Sequence, residues 1–166
     1  MTPDQLVLAA IRVAEEGLEA GELPIGAVVA LGDDIVASAF TQERRQGRRL
    51  VHADLLAMEQ ADRALGRGRR GGLRLAVNLE PCLMCIGAAM SLGVEEVLFA
   101  LEAPADGAAA IAAAWGPASP STWYRPPTLT GGIRHRESRE LFRRYAAGAG
   151  ESALRAFAAE LAALPD

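Results

Sequence analysis

The chain has 166 residues, 51% of them apolar and 23% charged, an ordinary globular composition in which a single domain can bury roughly two-thirds of the surface its unfolded form exposes and needs no disulfide framework to fold. Seventeen cations, all arginine, against twenty-one acids leave a net charge of −4, a balance that argues against gripping a polyphosphate and so against nucleic acid as a partner. No apolar run reaches the ~18 residues of a membrane span, and the acidic amphipathic start lacks the basic then apolar order of a signal peptide; the cytoplasm is the expected compartment, with no membrane partner.

The elements follow in chain order. Leu6, Ala10, Val13, Ala14 and Leu18 recur at helical spacing, which predicts a helix from Pro3 to Ala20, closed by Gly21. Ile25 to Leu31 and Ile35 to Phe40 flank the turn signal Gly32-Asp33-Asp34 and read as a hairpin. An arginine-rich polar stretch runs to Leu50, and Leu55, Leu56, Met58, Ala61 and Leu65 mark a second helix that opens at His52. Beyond a loop of glycines and arginines, Leu73 to Leu79 is a strand, Cys82 to Leu92 a helix behind Pro81, and Val94 to Ala100 a strand. Strands alternating with helices after a hairpin imply a mixed sheet of about five strands with helices on both faces, a three-layer α/β/α domain. Residues 103 to 127 are alanine- and proline-rich and read as a loop with one short helix, a length that suits a lid or binding segment. Arg136 to Ala147 and Glu151 to Leu164 read as terminal helices, the second with Leu154, Phe157, Ala158 and Leu161 on one face. The arginine clusters at Arg44, Arg45, Arg48 and Arg49 and at Arg67, Arg69 and Arg70 read first as solvated loop charge, with phosphate binding or a dimer contact as the other reading.

Cys82 and Cys85 are the only cysteines, placed where a strand gives way to a helix, so both thiols share one face of the first helical turn. A helix N-terminus favours thiolates, and thiolates bind metals. A lone C-x-x-C leaves zinc and redox chemistry both open, but the order of elements is not that of a thioredoxin. His52 favours zinc, because it too opens a helix after a loop, thirty residues upstream. The other histidine, His135, lies among charged residues in what reads as an exposed segment. Three protein ligands leave one tetrahedral position open, as in a catalytic rather than a structural site. Asp54 follows His52 by two residues, where a carboxylate can serve the same centre.

His52-Ala53-Asp54 followed by Leu79-Glu80-Pro81-Cys82-Leu83-Met84-Cys85 is close to the H-x-E…P-C-x-x-C signature of the zinc deaminases. From about residue 3 to residue 101 the chain resembles the cytidine deaminase superfamily, nearest the branch of tRNA adenosine deaminases and guanine deaminases, and Leu23 to Val29 is similar to that branch's opening strand. The resemblance implies a cytidine deaminase-like fold spanning residues 1–166 as one domain, with a core to 101 and a C-terminal loop and helices after it. It implies zinc on His52, Cys82 and Cys85, a proton shuttle at Asp54, substrate contacts from Ala53 and Cys82, and a homodimer. Glu80 would orient the loop ahead of Pro81. Trp123 and Tyr124 lie in the C-terminal segment that closes over guanine deaminase sites, where an aromatic can stack on a planar ring, and otherwise pack against the terminal helices.

Two positions depart from the family. Asp54 stands where glutamate is usual, shorter by one methylene or about 1.5 Å of reach. Thr41, eleven residues before His52, stands where an asparagine usually bonds the base or sugar, and one hydroxyl cannot make all of those bonds. The expected function is zinc-dependent hydrolytic deamination of a free nucleobase, nucleoside or related amino-substituted heterocycle. The alternatives are a tRNA adenosine deaminase and a catalytically inactive zinc-binding relative.

Overall fold

The structure is a computed structural model that describes residues 1–68, 71–116, 124–150 and 152–165. Arg69, Arg70 and Trp123 lie outside the described residues.

Helix α1 spans Pro3–Glu19, opened by a capping box in which the Thr2 side chain accepts from the Gln5 backbone and Gln5 reciprocates. Strands β1 (Gly26–Leu31) and β2 (Asp34–Phe40) form the antiparallel hairpin, turned at Gly32, whose φ of 64° suits glycine. A single helical turn, α2 (Glu43–Gln46), interrupts the polar stretch read as loop, and α3 follows at Ala53–Leu65. Then come β3 (Leu73–Leu79), α4 (Leu83–Leu92), β4 (Glu96–Leu101), α5 (Ala109–Ala114), β5 (Thr128–Thr130), α6 (His135–Ala146) and α7 (Ala153–Ala162).

The sheet runs β2-β1-β3-β4-β5, antiparallel across β2/β1/β3 and parallel across β3/β4/β5. Its residues alternate between two buried faces. Ala27 and Val29 of β1 pack with Leu75 and Val77 of β3 against Ala57, Met58 and Ala61 of α3 and Ala89 of α4. Val28, Ala30, Ala76 and Leu98 face the other way, against Leu6, Val7, Ala10 and Ala14 of α1 and Leu141 of α6. The three-layer expectation is met, and the fifth strand is the short β5 behind the proline pair, which carries no alternating run long enough to read.

Two close fits hold the layers in register. Gly26 lies where α1 crosses the sheet, and a Cβ there would run into the Ala10 and Ala14 backbone. Asn78, fully buried at the end of β3, accepts from Gly26 N at 2.8 Å and donates to Pro24 O at 2.9 Å and to Ser138 Oγ of α6 at 3.1 Å. One side chain thereby fixes the approach to β1, the end of β3 and the start of α6, immediately before the segment that carries the cysteines. Beyond that edge, Leu79, Leu101, Ala103, Phe142, Ala158 and Leu161 form a separate apolar cluster that seats α7.

Candidate active site

Three ligand-type atoms converge where two helices begin. His52 is the N-cap of α3 and Cys82 the N-cap of α4, and neither side chain makes a capping hydrogen bond, so both can turn toward the same point. The two sulfurs are 3.6 Å apart, and His52 Nδ1 lies 3.8 Å from Cys82 Sγ and 3.7 Å from Cys85 Sγ. Zinc with Zn–S near 2.3 Å and Zn–N near 2.0 Å in tetrahedral coordination places its ligand atoms roughly 3.5 to 3.8 Å apart. The donor set and its spacing fit zinc, and among the described residues this is the group that could hold a metal.

The local electrostatics favour one thiolate, at Cys82, with Cys85 as its thiol partner. Cys82 is lowered to about 4, first because the Cys85 thiol donates to it, then through His52. Cys85, buried and giving its proton to Cys82, moves upward. His52 moves upward chiefly through its hydrogen bond with Cys82. Asp54 is raised to about 6, with burial the largest cause and the Cys85 thiol acting the other way. Its Oδ1 is buried with no hydrogen-bond partner among the described residues, an orphaned acceptor of the kind that folded chains leave where something else is bound.

A cavity of about 240 Å³ opens beside these residues. It is lined by His52, Ala53, Asp54, Cys82 and Thr41 and by the apolar Leu23, Ile25, Leu79, Leu154 and Phe157. Thr41 is buried, and its hydroxyl donates to Val51 O at 3.2 Å, so toward the cavity that oxygen offers lone pairs. Tyr124 stands elsewhere: its hydroxyl meets Ser91 of α4 and its ring packs by Ile86 and Met90, outside the cavity lining. Glu80 is held by Ala103 N at 3.0 Å and Ala109 N at 2.9 Å, tying the segment before α5 to the start of α4, and Gly107 passes so close to that carboxylate that a Cβ would collide with it.

Other lining residues carried no signal in the sequence. Glu22, Glu43 and Asp106 are acids in stretches without a periodic pattern, and only the fold brings them to the cavity. Asp106 is raised by partial burial and by the negative charge of Cys82. Leu154 and Phe157 were legible as an apolar helix face, and that face both packs α7 and walls the cavity.

Residues 1–101 match the family model described as the cytidine and deoxycytidylate deaminase zinc-binding region. The chain belongs to this family. It is 41% identical over 108 residues to the tRNA-specific adenosine deaminase of Bacillus subtilis (strain 168), covering 64% of this chain and 67% of that one. It is 35% identical over 138 residues to the tRNA(Ile)-lysidine synthase of Deinococcus deserti, covering 81% of this chain and 25% of that much longer one. A solved tRNA:A34 deaminase superposes with a TM-score of 0.72 at 27% identity over 82% of this chain and 98% of that one. The guanine deaminase of Nitrosomonas europaea, at 24% identity and a TM-score of 0.69 over 87% of this chain and 84% of that one, shares the fold. The family's zinc-dependent deaminase machinery thus coincides with the cluster of His52, Cys82 and Cys85.

Proposed function

We propose that this chain hydrolytically deaminates a small amino-substituted heterocycle, a free nucleobase or nucleoside, with Asp54 as its proton shuttle. The size and lining of the cavity carry this reading. At about 240 Å³, with Leu154 and Phe157 of α7 across one side, it is smaller than the ~300 to 1,000 Å³ of pockets for drug-sized ligands and suits one ring system. Its side-chain polar groups are acceptors in the main, which match the N–H and amino groups of such a ring and oppose phosphate.

When bound, zinc supplies the positive centre that ionises water near neutral pH. The residues of the chain do the rest. His52, Cys82 and Cys85 hold the ion, and the first turns of α3 and α4 present backbone N–H groups at Ala53 and Cys82 that lack helical partners and can bond the attacking oxygen or the ring. Asp54 takes a proton from the water that attacks the amino-bearing carbon and delivers it to the adjacent ring nitrogen; it then passes the second proton to the exocyclic nitrogen as the C–N bond breaks, giving the oxo-heterocycle and ammonia. A carboxyl poised near 6 is suited to both giving and taking. The apolar walls exclude water from the far side of the ring.

A tRNA adenosine deaminase is the second reading, favoured by the 41% identity to the Bacillus protein and by the exposed Arg44, Arg45, Arg48 and Arg49 in the segment beside the cavity. Ammonia release from a panel of aminopurines, aminopyrimidines, aminotriazines and their nucleosides tests the first reading. Turnover of a tRNA transcript with binding that weakens steeply as salt rises, and none of the free rings, would establish the second instead.

A further inference from the structure

His52 is held from both sides of its ring. Nδ1 faces the two sulfurs, and Nε2 lies 3.1 Å from Glu43 Oε1. An imidazole that ligates through one nitrogen carries its proton on the other, and the acceptor of that proton fixes both the tautomer and the plane of the ring. We propose that Glu43 is the positioning residue of the metal site: by accepting from His52 Nε2–H it holds the Nδ1 lone pair on the cysteine pair and so sets the affinity for zinc. The inference rests on His52, Cys82 and Cys85 being the zinc ligands.

Glu43 is itself held. Glu22, only 2% exposed, uses both carboxylate oxygens to accept the backbone N–H groups of Arg44 at 3.0 Å and Arg45 at 2.6 Å, which pins α2 directly behind Glu43. At the base of the same loop, Thr41 N donates to Ile25 O at 3.0 Å, and Gln42 N and the Thr41 hydroxyl both donate to Val51 O, the carbonyl next to His52. The loop that leaves β2 is therefore fastened at its tip by Glu22 and at its base by the residue preceding the ligand, and Glu43 is the point where it touches the ring. Taken as a bare ion pair, with side chains 30% and 35% exposed, this contact would add little to stability. Its value lies in direction: it leaves one nitrogen, and only that one, available to a metal.

The test is zinc competition. Wild type, Glu43→Gln and Glu43→Ala are titrated with a chromophoric chelator of known affinity, and the thermal midpoint of each zinc-free protein is recorded alongside. Glu43→Ala is expected to bind zinc roughly ten- to a hundredfold more weakly, Glu43→Gln to fall between it and wild type because an amide oxygen still accepts the proton, and the zinc-free midpoints to coincide. In nitrogen-15 spectra of the zinc-loaded wild type, His52 should show its proton on Nε2. Equal affinities in wild type and Glu43→Ala overturn the proposal, as do parallel losses of affinity and zinc-free stability, which would make Glu43 a loop fastener alone. Wild type that binds no zinc at all would instead defeat the ligand assignment beneath it.

Discussion

Asp54 is the residue at which sequence and chemistry pull hardest against each other. Its carboxylate is buried, its Oδ1 has no described partner, and burial holds it near 6, a state that costs stability while that oxygen is unpaired. Asp54→Asn keeps the shape and loses the transferable proton, so it should retain about one zinc per chain while turnover falls by roughly a hundred- to ten-thousandfold; metal analysis and ammonia release on the same sample check both halves. Asp54→Glu adds a methylene to a site built around the shorter side chain and is expected to lower turnover of the native substrate. Strong activity created by glutamate where wild type deaminates nothing would establish the inactive zinc-binding alternative. Cys85→Ser should lose most of the zinc, since a buried hydroxyl is a poor replacement for a thiolate. The candidate ligands could be picked out of the sequence because each carries a local signal: two cysteines one helical turn apart, and a histidine at a helix start. Glu22, Glu43 and Asp106 could not, because an acid in a stretch without a periodic pattern looks the same whether it faces water or a ligand.

The elements around the site divide its duties. Helices α3 and α4 bring the three candidate ligands together, and Leu154 and Phe157 of α7 line the cavity beside them. Phe157→Ala should therefore leave zinc content untouched but weaken the grip on a small ring, raising its KM by roughly tenfold for the loss of one aromatic wall, while bulkier nucleosides improve relative to free bases. Steady-state kinetics on one base and its nucleoside decide it; an unchanged ratio of kcat/KM values would mean that α7 does not gate the cavity. Asn78 joins three segments through one amide, and Asn78→Ala strands their buried partners at a cost of about 3 kcal/mol, or roughly 6 to 12 °C of thermal midpoint. The helices and four strands follow hydrophobic periodicity and could be read in order. The one-turn α2 and the three-residue β5 could not, since neither is long enough to show a period, and each is held by tertiary bonds: α2 by Glu22, β5 by its parallel pairing with β4.

Across the whole molecule the sheet is covered on both faces, and no helix among the described residues is long and apolar enough to cross a membrane. Leu83, on the first turn of α4, is 58% exposed and Leu50, just ahead of His52, is 64% exposed, so apolar side chains crowd the surface beside the metal centre. A second copy of the chain is the expected cover. Light scattering at micromolar concentration should give about twice the 17.4 kDa chain mass, and Leu83→Arg should return it to a single mass while leaving the fold intact by circular dichroism.

The ligands of the metal centre all fall between His52 and Cys85, within the region shared with the family, whereas the wall formed by Leu154 and Phe157 belongs to the chain's last helix. The cavity thus draws its lining both from the family region, which supplies Leu23, Ile25, Thr41 and Leu79, and from α7, and the two meet in the apolar cluster around Phe142 and Leu161. A substitution at Leu154 or Phe157 therefore reshapes the cavity without touching any of the three candidate metal ligands.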